Sequence, residues 1–454
     1  MSLAIVILAA GQGTRMRSRL PKVLHPLGGR PMLQHVIDTA HQLAADEIAV
    51  VVGHGAEQVQ AAIDDPAVRW VLQAEQLGTG HAVAQALPVL EADDVLVLYG
   101  DVPLVRAELL RPLVDGLAVG RIHLLTVTLD DPTGYGRIVR DERGEVRRIV
   151  EQKDADADTL RIREGNTGIL AARRADLARW LDEVDDDNAQ GEFYLTDVIE
   201  HCIAGGGHVQ AWRVDDELAV AGVNDKRQLN RMERAYQHQQ ADRLLAAGVT
   251  LADRARIDVR GELVAGRDVS IDINCVFEGR VVLGDDVTIG PNCLLRDVEI
   301  GDGVQVHANS VLEGSVVEAD CQVGPFARLR PGTRLRRGAK AGNFVEIKQG
   351  DIGEGSKVNH LSYIGDARLG RDVNIGAGTI TCNYDGARKH HTDIGDGAFI
   401  GSNSALVAPV TIGAEATIGA GSVITREAPA GQLTLARERQ TTVPHWKRPK
   451  KGDH

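Results

Sequence analysis

The feature that most constrains the fold is a six-residue repeat in the second half of the chain. Aliphatic residues lie six apart at Ile394, Ile400, Leu406, Ile412, Ile418 and Ile424. A glycine follows four of them, and the same aliphatic-glycine pair occurs earlier, as at Ile289-Gly290 and Ile364-Gly365. A hexapeptide period is typical of a parallel β-helix, whose triangular coils each take three hexapeptides. Such a core needs small aliphatic side chains, and the aromatic content of 3% agrees with that need.

The repeat is interrupted once. Ile375 and Ile394 are nineteen residues apart, which is three hexapeptides plus one. The segment from Thr381 to Lys389 is polar and rich in turn-forming residues, so we predict an excursion from the regular coil there. Such a segment is either a surface insertion or part of a site.

The first half alternates patterns typical of strands and helices. Apolar runs at residues 48–52, 95–99 and 124–127 predict strands, and helical spacing of apolar residues spans 32–43 and 82–90. This alternation predicts an α/β domain with a largely parallel sheet. In such sheets ligands bind beyond the carboxyl ends of the strands.

The chain opens with a candidate phosphate-binding loop. A short apolar run leads into Gly11 and Gly13, and Arg15 and Lys22 follow. Glycines let backbone N–H groups approach an anion closely, and the two cations add positive charge. The loop lacks the Gly-Lys-Ser/Thr of a P-loop, and Met16 stands where a dinucleotide fingerprint needs its third glycine. The loop therefore belongs to neither of those classes.

Composition limits the partners and the compartment. A net charge of −13 argues against nucleic acid as the main partner, so we expect any polyphosphate to be bound by a few clustered cations. No signal peptide opens the chain and no apolar run is long enough to span a bilayer, which predicts a cytoplasmic protein without membrane insertion. The cysteines are scattered, form no C-x-x-C pair and are expected to be reduced thiols: Cys202, Cys275, Cys293, Cys321 and Cys382.

Several motifs together carry a resemblance. They lie in order along the chain, at residues 8–16, 21–25, 73–81, 99–103, 342–346 and 376–380. The chain resembles, over nearly its whole length, the bacterial bifunctional N-acetylglucosamine-1-phosphate uridyltransferases and glucosamine-1-phosphate acetyltransferases. The resemblance implies a Rossmann-like α/β nucleotidyltransferase domain, joined by a helix to a left-handed parallel β-helix that assembles as a homotrimer. We expect these parts at residues 1–226, 227–247 and 248–454.

For the first domain the resemblance implies uridylyl transfer from UTP to N-acetylglucosamine 1-phosphate. Mg²⁺ is implied as the cofactor, with Asp101 and Asn224 as its ligands and Lys22 on a phosphate. Asp101 directly follows an apolar run, where a strand end would present its carboxylate; its alternative role is to initiate a turn. The implied nucleotide and sugar contacts are Leu8, Ala9, Ala10, Gly11, Lys22, Gln73, Gly78, Thr79, Tyr99, Gly100, Asp101, Gly136, Glu151, Asn166 and Asn224.

For the second domain the resemblance implies acetyl transfer from acetyl-CoA to the amine of glucosamine 1-phosphate. That amine must lose a proton, and a histidine has a suitable pKa for a general base. His360 matches the base of the family, and we infer that Glu346 orients it. A surface or packing role is the alternative for an isolated histidine.

The remaining implied contacts of the second domain fall into two sets. The sugar phosphate is assigned to Arg330, Lys348, Tyr363 and Asn374. Acetyl-CoA is assigned to Ala377, Asn383, Tyr384, Ser402, Ala420 and Arg437. A shift of two residues in the alignment would replace Arg437 by Arg439. The basic tail, residues 446–451, is expected to be disordered or to touch an anionic ligand.

Two other functions remain open at the level of sequence. In the first, the chain is a monofunctional nucleotidyltransferase whose β-helix only assembles or regulates subunits. His360 and Lys348 argue against this alternative. In the second, the chain is a non-catalytic scaffold that has kept the fold but lost the catalytic activities. Lys22, Asp101 and Asn224 argue against this alternative.

Overall fold

The computed structural model describes residues 2–448, and the chain divides into two compact units, Met1–Tyr236 and Gln237–His454. The division falls inside the helix Lys226–Ala246, whereas the sequence placed domain borders at the two ends of a helix from 227 to 247. Within the described residues no helix is long and apolar enough to cross a membrane. Residues 449–451 of the predicted basic tail lie outside the described part.

The first unit is an α/β fold. Its strands are β1 Leu3–Ala9, β2 Pro26–Leu27, β3 Arg30–Pro31, β4 Glu47–Val52, β5 Val68–Leu72, β6 Asp94–Tyr99, β7 Arg121–Thr128, β8 Arg137–Arg140, β9 Val146–Val150, β10 Glu164–Arg173 and β11 His208–Val214. The α-helices are α1 Met32–Gln42, α2 Ala56–Ala62, α3 Thr79–Ala86, α4 Ala107–Val114, α5 Arg174–Leu181, α6 Val198–Ala204, α7 Glu217–Val220 and α8 Lys226–Ala246. Short 3₁₀ turns lie at Thr14–Met16, Lys22–Leu24, Leu87–Val89, Thr159–Arg161 and Leu195–Asp197.

The main sheet has the order β11-β7-β10-β6-β1-β4-β5, with β8 and β9 attached at β10. Pairs β1–β4, β1–β6, β4–β5 and β7–β11 are parallel, in agreement with the sequence prediction. Strand β10 is the departure, because it runs antiparallel to both β6 and β7. It follows the β8–β9 hairpin instead of a helical crossover, and a hairpin returns the chain in the antiparallel sense.

Strand β1 shows why this sheet is buried on both faces. Ile5 and Ile7 pack into the core beneath α1, and Ala4 and Val6 pack into the core on the opposite face beneath α3. A strand covered by helices on both sides needs apolar residues at consecutive positions, as this strand has. Its carboxyl end lies beside the end of β6, where the glycine loop leaves the sheet.

The second unit is a left-handed parallel β-helix. Its strands are β12 Thr250–Leu251, β13 Ile257–Ala265, β14 Ser270–Ile271, β15 Cys275–Leu283, β16 Thr288–Ile289, β17 Leu294–Ile300, β18 Gln305–Val306, β19 Val311–Glu313, β20 Val316–Val317, β21 Gln322–Val323, β22 Arg328–Leu329, β23 Arg334–Leu335, β24 Lys340–Asn343, β25 Glu346–Ile352, β26 Lys357–His360, β27 Tyr363–Leu369, β28 Asn374–Ile375, β29 Ile380–Cys382, β30 Thr392–Ile394, β31 Phe399–Ile400, β32 Ala405–Val407, β33 Val410–Ile412, β34 Thr417–Ile418, β35 Val423–Ile424 and β36 Leu433–Thr434. One sheet has eleven strands, in the order β12-β14-β16-β18-β21-β24-β26-β28-β31-β34-β36. A fourteen-stranded sheet contains the other strands.

Coils stack with equivalent residues in register. Ile271 pairs with Ile289, which pairs with Val306, and all three are almost fully buried. Burying each such side chain contributes about 1.5–3 kcal/mol relative to leaving it exposed. The glycine that follows the aliphatic residue is needed because coils approach closely: a Cβ on Gly353 would lie 2.0 Å from the carbonyl oxygen of Gly370.

The predicted excursion is present. Leu369 pairs with Ile394, 25 positions later, whereas Ile394 pairs with Ile412, 18 positions later. The additional residues form a loop that begins at Asn383 and closes with an antiparallel bridge between Tyr384 and Lys389. Asp385 stabilises this loop by accepting hydrogen bonds from the backbone N–H groups of residues 387 and 388.

Candidate active sites

A cleft of about 450 Å³ opens at the carboxyl ends of β1 and β6. Nine of the residues predicted for the nucleotide site line it: Leu8, Ala10, Gly11, Lys22, Gln73, Gly78, Thr79, Tyr99 and Asp101. Four lining residues were not singled out in the sequence: Gln12, Gln76, Ala82 and Glu192. Ala9 and Gly100 do not line the cleft. They lie against each other, because a Cβ added to Gly100 would be 3.4 Å from the Cβ of Ala9.

Cationic and polar groups meet around Lys22 and Asp101 of this cleft, and two of them, Arg15 and Asn224, do not line it. The Lys22 ammonium group forms an ion pair with the Asp101 carboxylate and lies 3.2 Å from Oδ1 of Asn224. Arg15 donates to the same Asn224 oxygen over 3.0 Å. Lys22 and Asp101 come together across 79 positions of sequence, and each side chain is only 15% exposed. The coulombic attraction within a partly buried ion pair of this kind is stronger than in a fully solvated pair.

The Asp101 and Asn224 oxygens fit a hard divalent cation. Both already converge on one positive charge, the ammonium group of Lys22. Carboxylate and amide oxygens are ligands that Mg²⁺ accepts, and Mg²⁺ usually completes its shell with phosphate oxygens and water. Among residues 2–448 no cluster of three His, Cys, Asp or Glu side chains forms a complete metal cage. A metal held here would therefore depend on phosphate oxygens of a bound substrate.

Thr79 and Tyr99 are two further polar residues that line the cleft. The Thr79 hydroxyl accepts a hydrogen bond from the backbone of Leu195 and is hydrogen-bonded to the Tyr99 phenol. Burial raises the pKa of Tyr99 well above its usual value, and the charges of Glu151 and Asp101 raise it further. The phenol therefore remains a neutral hydrogen-bonding group at any physiological pH.

Gly136, Glu151 and Asn166 lie together beside the cleft. Gly136 precedes β8 and Glu151 follows β9, at the same end of the hairpin, because Arg137 pairs with Val150. The backbone N–H of Asn166 donates to the carbonyl of Gly136 over 2.8 Å. Burial raises the pKa of Glu151, with a further contribution from the charge of Asp197. None of these three residues lines the cleft itself.

On the β-helix, His360 lies at the exposed end of β26. Its Nδ1 atom is 2.8 Å from Oδ1 of Asn343, the residue that pairs with it in the preceding coil. The predicted orienting contact from Glu346 is wrong: Glu346 instead accepts from Arg330 over 3.0 Å. The physical reason is register, since Glu346 pairs with Tyr363 on the other sheet, three residues beyond His360.

A cluster of charged side chains surrounds Lys348. Its Nζ lies 3.9 Å from Oδ2 of Asp366, and Asp366 also accepts from the amide of Asn383. Lys389, on the excursion loop, reaches Lys348; its pKa lies below the ordinary value because the two amines can hydrogen-bond only if one is neutral, and two adjacent positive charges repel each other. The Tyr363 hydroxyl approaches the same place, because a Cβ on Gly365 would lie 2.4 Å from it.

Two residues predicted to bind the sugar phosphate, Arg330 and Asn374, contact residues other than Lys348. Arg330 is joined to the cluster through Glu346, which pairs with Tyr363 in register. Asn374 lies on the other sheet, where it pairs with Lys357 on the strand of His360.

The residues predicted for acetyl-CoA follow one edge of the coil. Asn403 donates to the carbonyl of Ala377 over 2.7 Å, and Gly421 donates to that of Ser402 over 2.8 Å, so Ala377 and Ser402 occupy the same turn of successive coils. In the next coil Arg437 donates from Nη1 to the carbonyl of Ala420 over 2.7 Å.

Asn383 and Tyr384 form the base of the excursion loop. Asn383 is buried and fixed by Asp366, whereas the Tyr384 ring is 62% exposed. The loop therefore presents an aromatic face to solvent beside the Lys348 cluster.

The sequence did not reveal Asn343, Asp366 or Lys389 as site residues. Asn343 and Lys389 do lie within motifs that the sequence analysis quoted, at residues 342–346 and 381–389. The coil spacing of 17 or 18 residues is the signal that finds Asn343, since it lies 17 positions before His360.

Comparisons with known proteins match both parts of the chain. Residues 5–188 match the family model of the MobA-like NTP transferase domain, and residues 266–297 and 391–426 match that of the bacterial transferase hexapeptide (six repeats). A bifunctional protein GlmU from Marinobacter nauticus is 59% identical over 451 residues, covering 99% of each chain. Those from Alkalilimnicola ehrlichii and Stutzerimonas stutzeri are 59% and 58% identical, and each alignment covers 99% of this chain and at least 97% of the relative. This chain therefore belongs to the GlmU family of bifunctional proteins.

Proposed function

We propose that the chain makes UDP-N-acetylglucosamine in two steps. The β-helix transfers an acetyl group from acetyl-CoA to glucosamine 1-phosphate, and the α/β domain then transfers a uridylyl group from UTP to N-acetylglucosamine 1-phosphate. The observation that carries this proposal is that both polar clusters are complete in one chain: Lys22 with Asp101 and Asn224, and His360 with Asn343.

In uridylyl transfer the sugar phosphate oxygen attacks the α-phosphorus of UTP. A new P–O bond forms, the bond from the α-phosphorus to the bridging oxygen breaks, and pyrophosphate leaves. No covalent enzyme intermediate is required, so the protein must align two anions and neutralise charge. Lys22 and Arg15 supply fixed positive charge at Asp101 and Asn224. Gly136, Glu151 and Asn166 would hold the acetylated sugar beside Tyr99.

Asp101 and Asn224 are the residues that would hold Mg²⁺. When bound, the ion neutralises the phosphate oxygens and stabilises the charge of the leaving pyrophosphate. Binding would require Lys22 to release the Asp101 oxygen and move onto a phosphate, which is the position that the sequence assigned to it.

In acetyl transfer the contact with Asn343 selects the tautomer of His360. Asn343 Oδ1 accepts, so the proton of the neutral ring is on Nδ1 and Nε2 has a free lone pair. The sugar amine attacks the thioester carbon, a C–N bond forms and the C–S bond breaks. Nε2 accepts the proton of the amine and passes it to the thiolate of coenzyme A.

The Lys348 cluster fits the phosphate of glucosamine 1-phosphate. Two adjacent ammonium groups, Lys348 and Lys389, repel each other until an anion lies between them. Arg330 and Tyr363 complete this end of the site. The turn edge formed by Ala377, Ser402 and Ala420, with Tyr384 and Arg437, would bind acetyl-CoA.

We also propose that the protein is a cytoplasmic homotrimer. Phe326, Phe344 and Leu361 lie on the same turn of successive coils, and they are 49%, 55% and 63% exposed. The two phenyl rings stack with their centroids 5.2 Å apart. An exposed apolar row on a regular coil supports burial against another copy of the chain. Light scattering of the purified protein tests the trimer, and a monomer would contradict it.

A paired assay on the purified chain with Mg²⁺ tests the two reactions. Thiol release is followed with acetyl-CoA and glucosamine 1-phosphate, and pyrophosphate release is followed with UTP and N-acetylglucosamine 1-phosphate. Both signals are expected. Pyrophosphate alone would reduce the β-helix to an assembly or regulatory part, and absence of both would refute the proposal.

A further inference from the structure

Gln73 is the buried one among the polar side chains lining the nucleotide cleft, with 3% exposure, and its amide nitrogen is fully engaged. Nε2 donates to the carbonyl oxygen of Gly78 over 3.0 Å and lies 3.1 Å from Nδ1 of His81. A primary amide has two N–H donors, so these two contacts use both. No donor among the described residues contacts Oε1, which leaves this oxygen available to the cleft.

The Gly78 carbonyl alone gives the amide a preferred direction. It is fixed at the start of α3, where it also accepts from the backbone N–H of Ala82. If the Gln73 amide turned over, its oxygen would face this carbonyl oxygen, and two acceptors would lie within hydrogen-bonding distance of each other.

His81 acts as a second acceptor on the same amide. Because the Gln73 nitrogen faces Nδ1, that atom must carry the lone pair and the ring proton must be on Nε2. Nε2 lies 3.2 Å from Nε2 of the exposed Gln85 side chain, and a half-turn of that amide would place its oxygen there as the acceptor of this proton. The Gly78 carbonyl and His81 therefore hold the Gln73 oxygen toward the cleft, and His81 does not itself line the cleft.

A fixed acceptor distinguishes pyrimidine bases. Uracil has an N–H group at ring position 3, whereas cytosine has an unprotonated nitrogen there and an amino group at the neighbouring carbon. The Gln73 oxygen would accept from the uracil N–H and would face the lone pair of the cytosine nitrogen, an unfavourable pairing.

The geometry points to His81 as a positioning residue that fixes the Gln73 amide and thereby sets the preference for uridine over cytidine nucleotides. This inference rests on the proposed uridylyl transfer at the same cleft, and it adds a residue outside the cleft to the determinants of base choice.

The test compares UTP with CTP, because a purely structural role of His81 would change both substrates alike. The ratio of kcat/KM for UTP to that for CTP is measured by pyrophosphate release, with N-acetylglucosamine 1-phosphate as acceptor. The unmodified protein is expected to prefer UTP by about 100-fold or more. His81→Leu and His81→Ala both remove the acceptor, and either is expected to lower this ratio about tenfold.

Two matched variants complete the design. His81→Asn places an amide oxygen near the position of Nδ1 and is expected to keep the ratio within about threefold of the unmodified value. Gln85→Leu removes only the contact with Nε2 of His81, on the side of the ring away from Gln73, and is also expected to keep the ratio unchanged. Acetyl transfer by the same preparations reports that each chain is intact.

The outcomes separate this inference from the function on which it rests. No pyrophosphate from UTP in the unmodified protein would refute the proposed uridylyl transfer. Normal use of UTP, with a ratio unchanged in both acceptor-lacking variants or lowered equally in His81→Asn, would overturn the role of His81. Equal use of UTP and CTP by the unmodified protein would overturn it as well.

Discussion

Replacing Asn343 by leucine is the sharpest test of the acetyltransferase site. Asn343 Oδ1 lies 2.8 Å from Nδ1 of His360 and is the protein acceptor that holds the ring proton on that nitrogen. Leucine has a similar size but no acceptor. The imidazole would then be free to move its proton to Nε2, where it cannot serve as the base, and to rotate out of position.

The expected magnitude follows from the exposure of the pair. Both groups are accessible to water, which can partly replace the lost acceptor, so the contact contributes about 0.5–1.5 kcal/mol. If the transition state loses this amount, kcat for acetyl transfer falls about threefold to about tenfold. Removing the base itself with His360→Ala is expected to reduce the rate by roughly 100-fold or more. Asn343→Leu should therefore lie between the unmodified protein and that variant.

The assay is thiol release from acetyl-CoA at saturating substrates, with uridylyl transfer by the same preparation as the internal control. Glu346→Gln is the matched comparison, because Glu346 contacts Arg330 and does not contact His360. It is expected to change KM for glucosamine 1-phosphate more than kcat. Full kcat in Asn343→Leu, or a larger loss of kcat in Glu346→Gln, would refute the assignment.

Three further outcomes are expected. Asp101→Ala should reduce pyrophosphate formation at least about 100-fold and leave acetyl transfer intact, and equal loss of both activities in a folded variant would refute separate sites. Burial, with the charge of Glu200, raises the pKa of Asp197 to about 6. The folded chain thus binds this proton more tightly than the unfolded chain, and stability falls as pH rises from about 4 to about 6. Asp197→Asn should then raise the free energy of unfolding at pH 7 by on the order of 1–2 kcal/mol in urea titrations, and should leave it unchanged at pH 4; equal gains at both values would contradict this. Lys389→Met should raise KM for glucosamine 1-phosphate about tenfold with little change in kcat, whereas the neighbouring Arg388→Met should change neither, and equal effects of the two would contradict a specific phosphate contact.

The β-helix was predictable because its period is local. Each hexapeptide places one aliphatic side chain at a corner, and stacking repeats that corner without any long-range choice. Ile289 and Ile375 are buried as the period requires. The excursion was predictable for the same reason, since it appears as an error in the period. The direction of β10 was not, because it depends on a hairpin whose strands have no marked pattern of their own.

The position of the cleft was predictable because the carboxyl ends of adjacent parallel strands meet at one edge of the sheet. Gly11 and Asp101 follow two adjacent strands, so one rule about parallel sheets brings them to the same cleft. The contact between Lys22 and Asn224 spans 202 positions and follows from no local pattern. It could be anticipated only through resemblance to a family.

The error at Glu346 shows what limits inference from spacing within a repeat. Glu346 and Asn343 are three residues apart and both precede His360 by about one coil, so sequence distance does not separate them. A coil of 17 residues pairs Asn343 with His360, and the intervening turn at Phe344 places Glu346 on another face, next to Arg330. A carboxylate would stabilise the charged imidazole, whereas the neutral amide of Asn343 fixes its tautomer without adding charge. The amide beside His360 therefore fixes the tautomer that leaves Nε2 as the nitrogen for accepting the proton of the attacking amine.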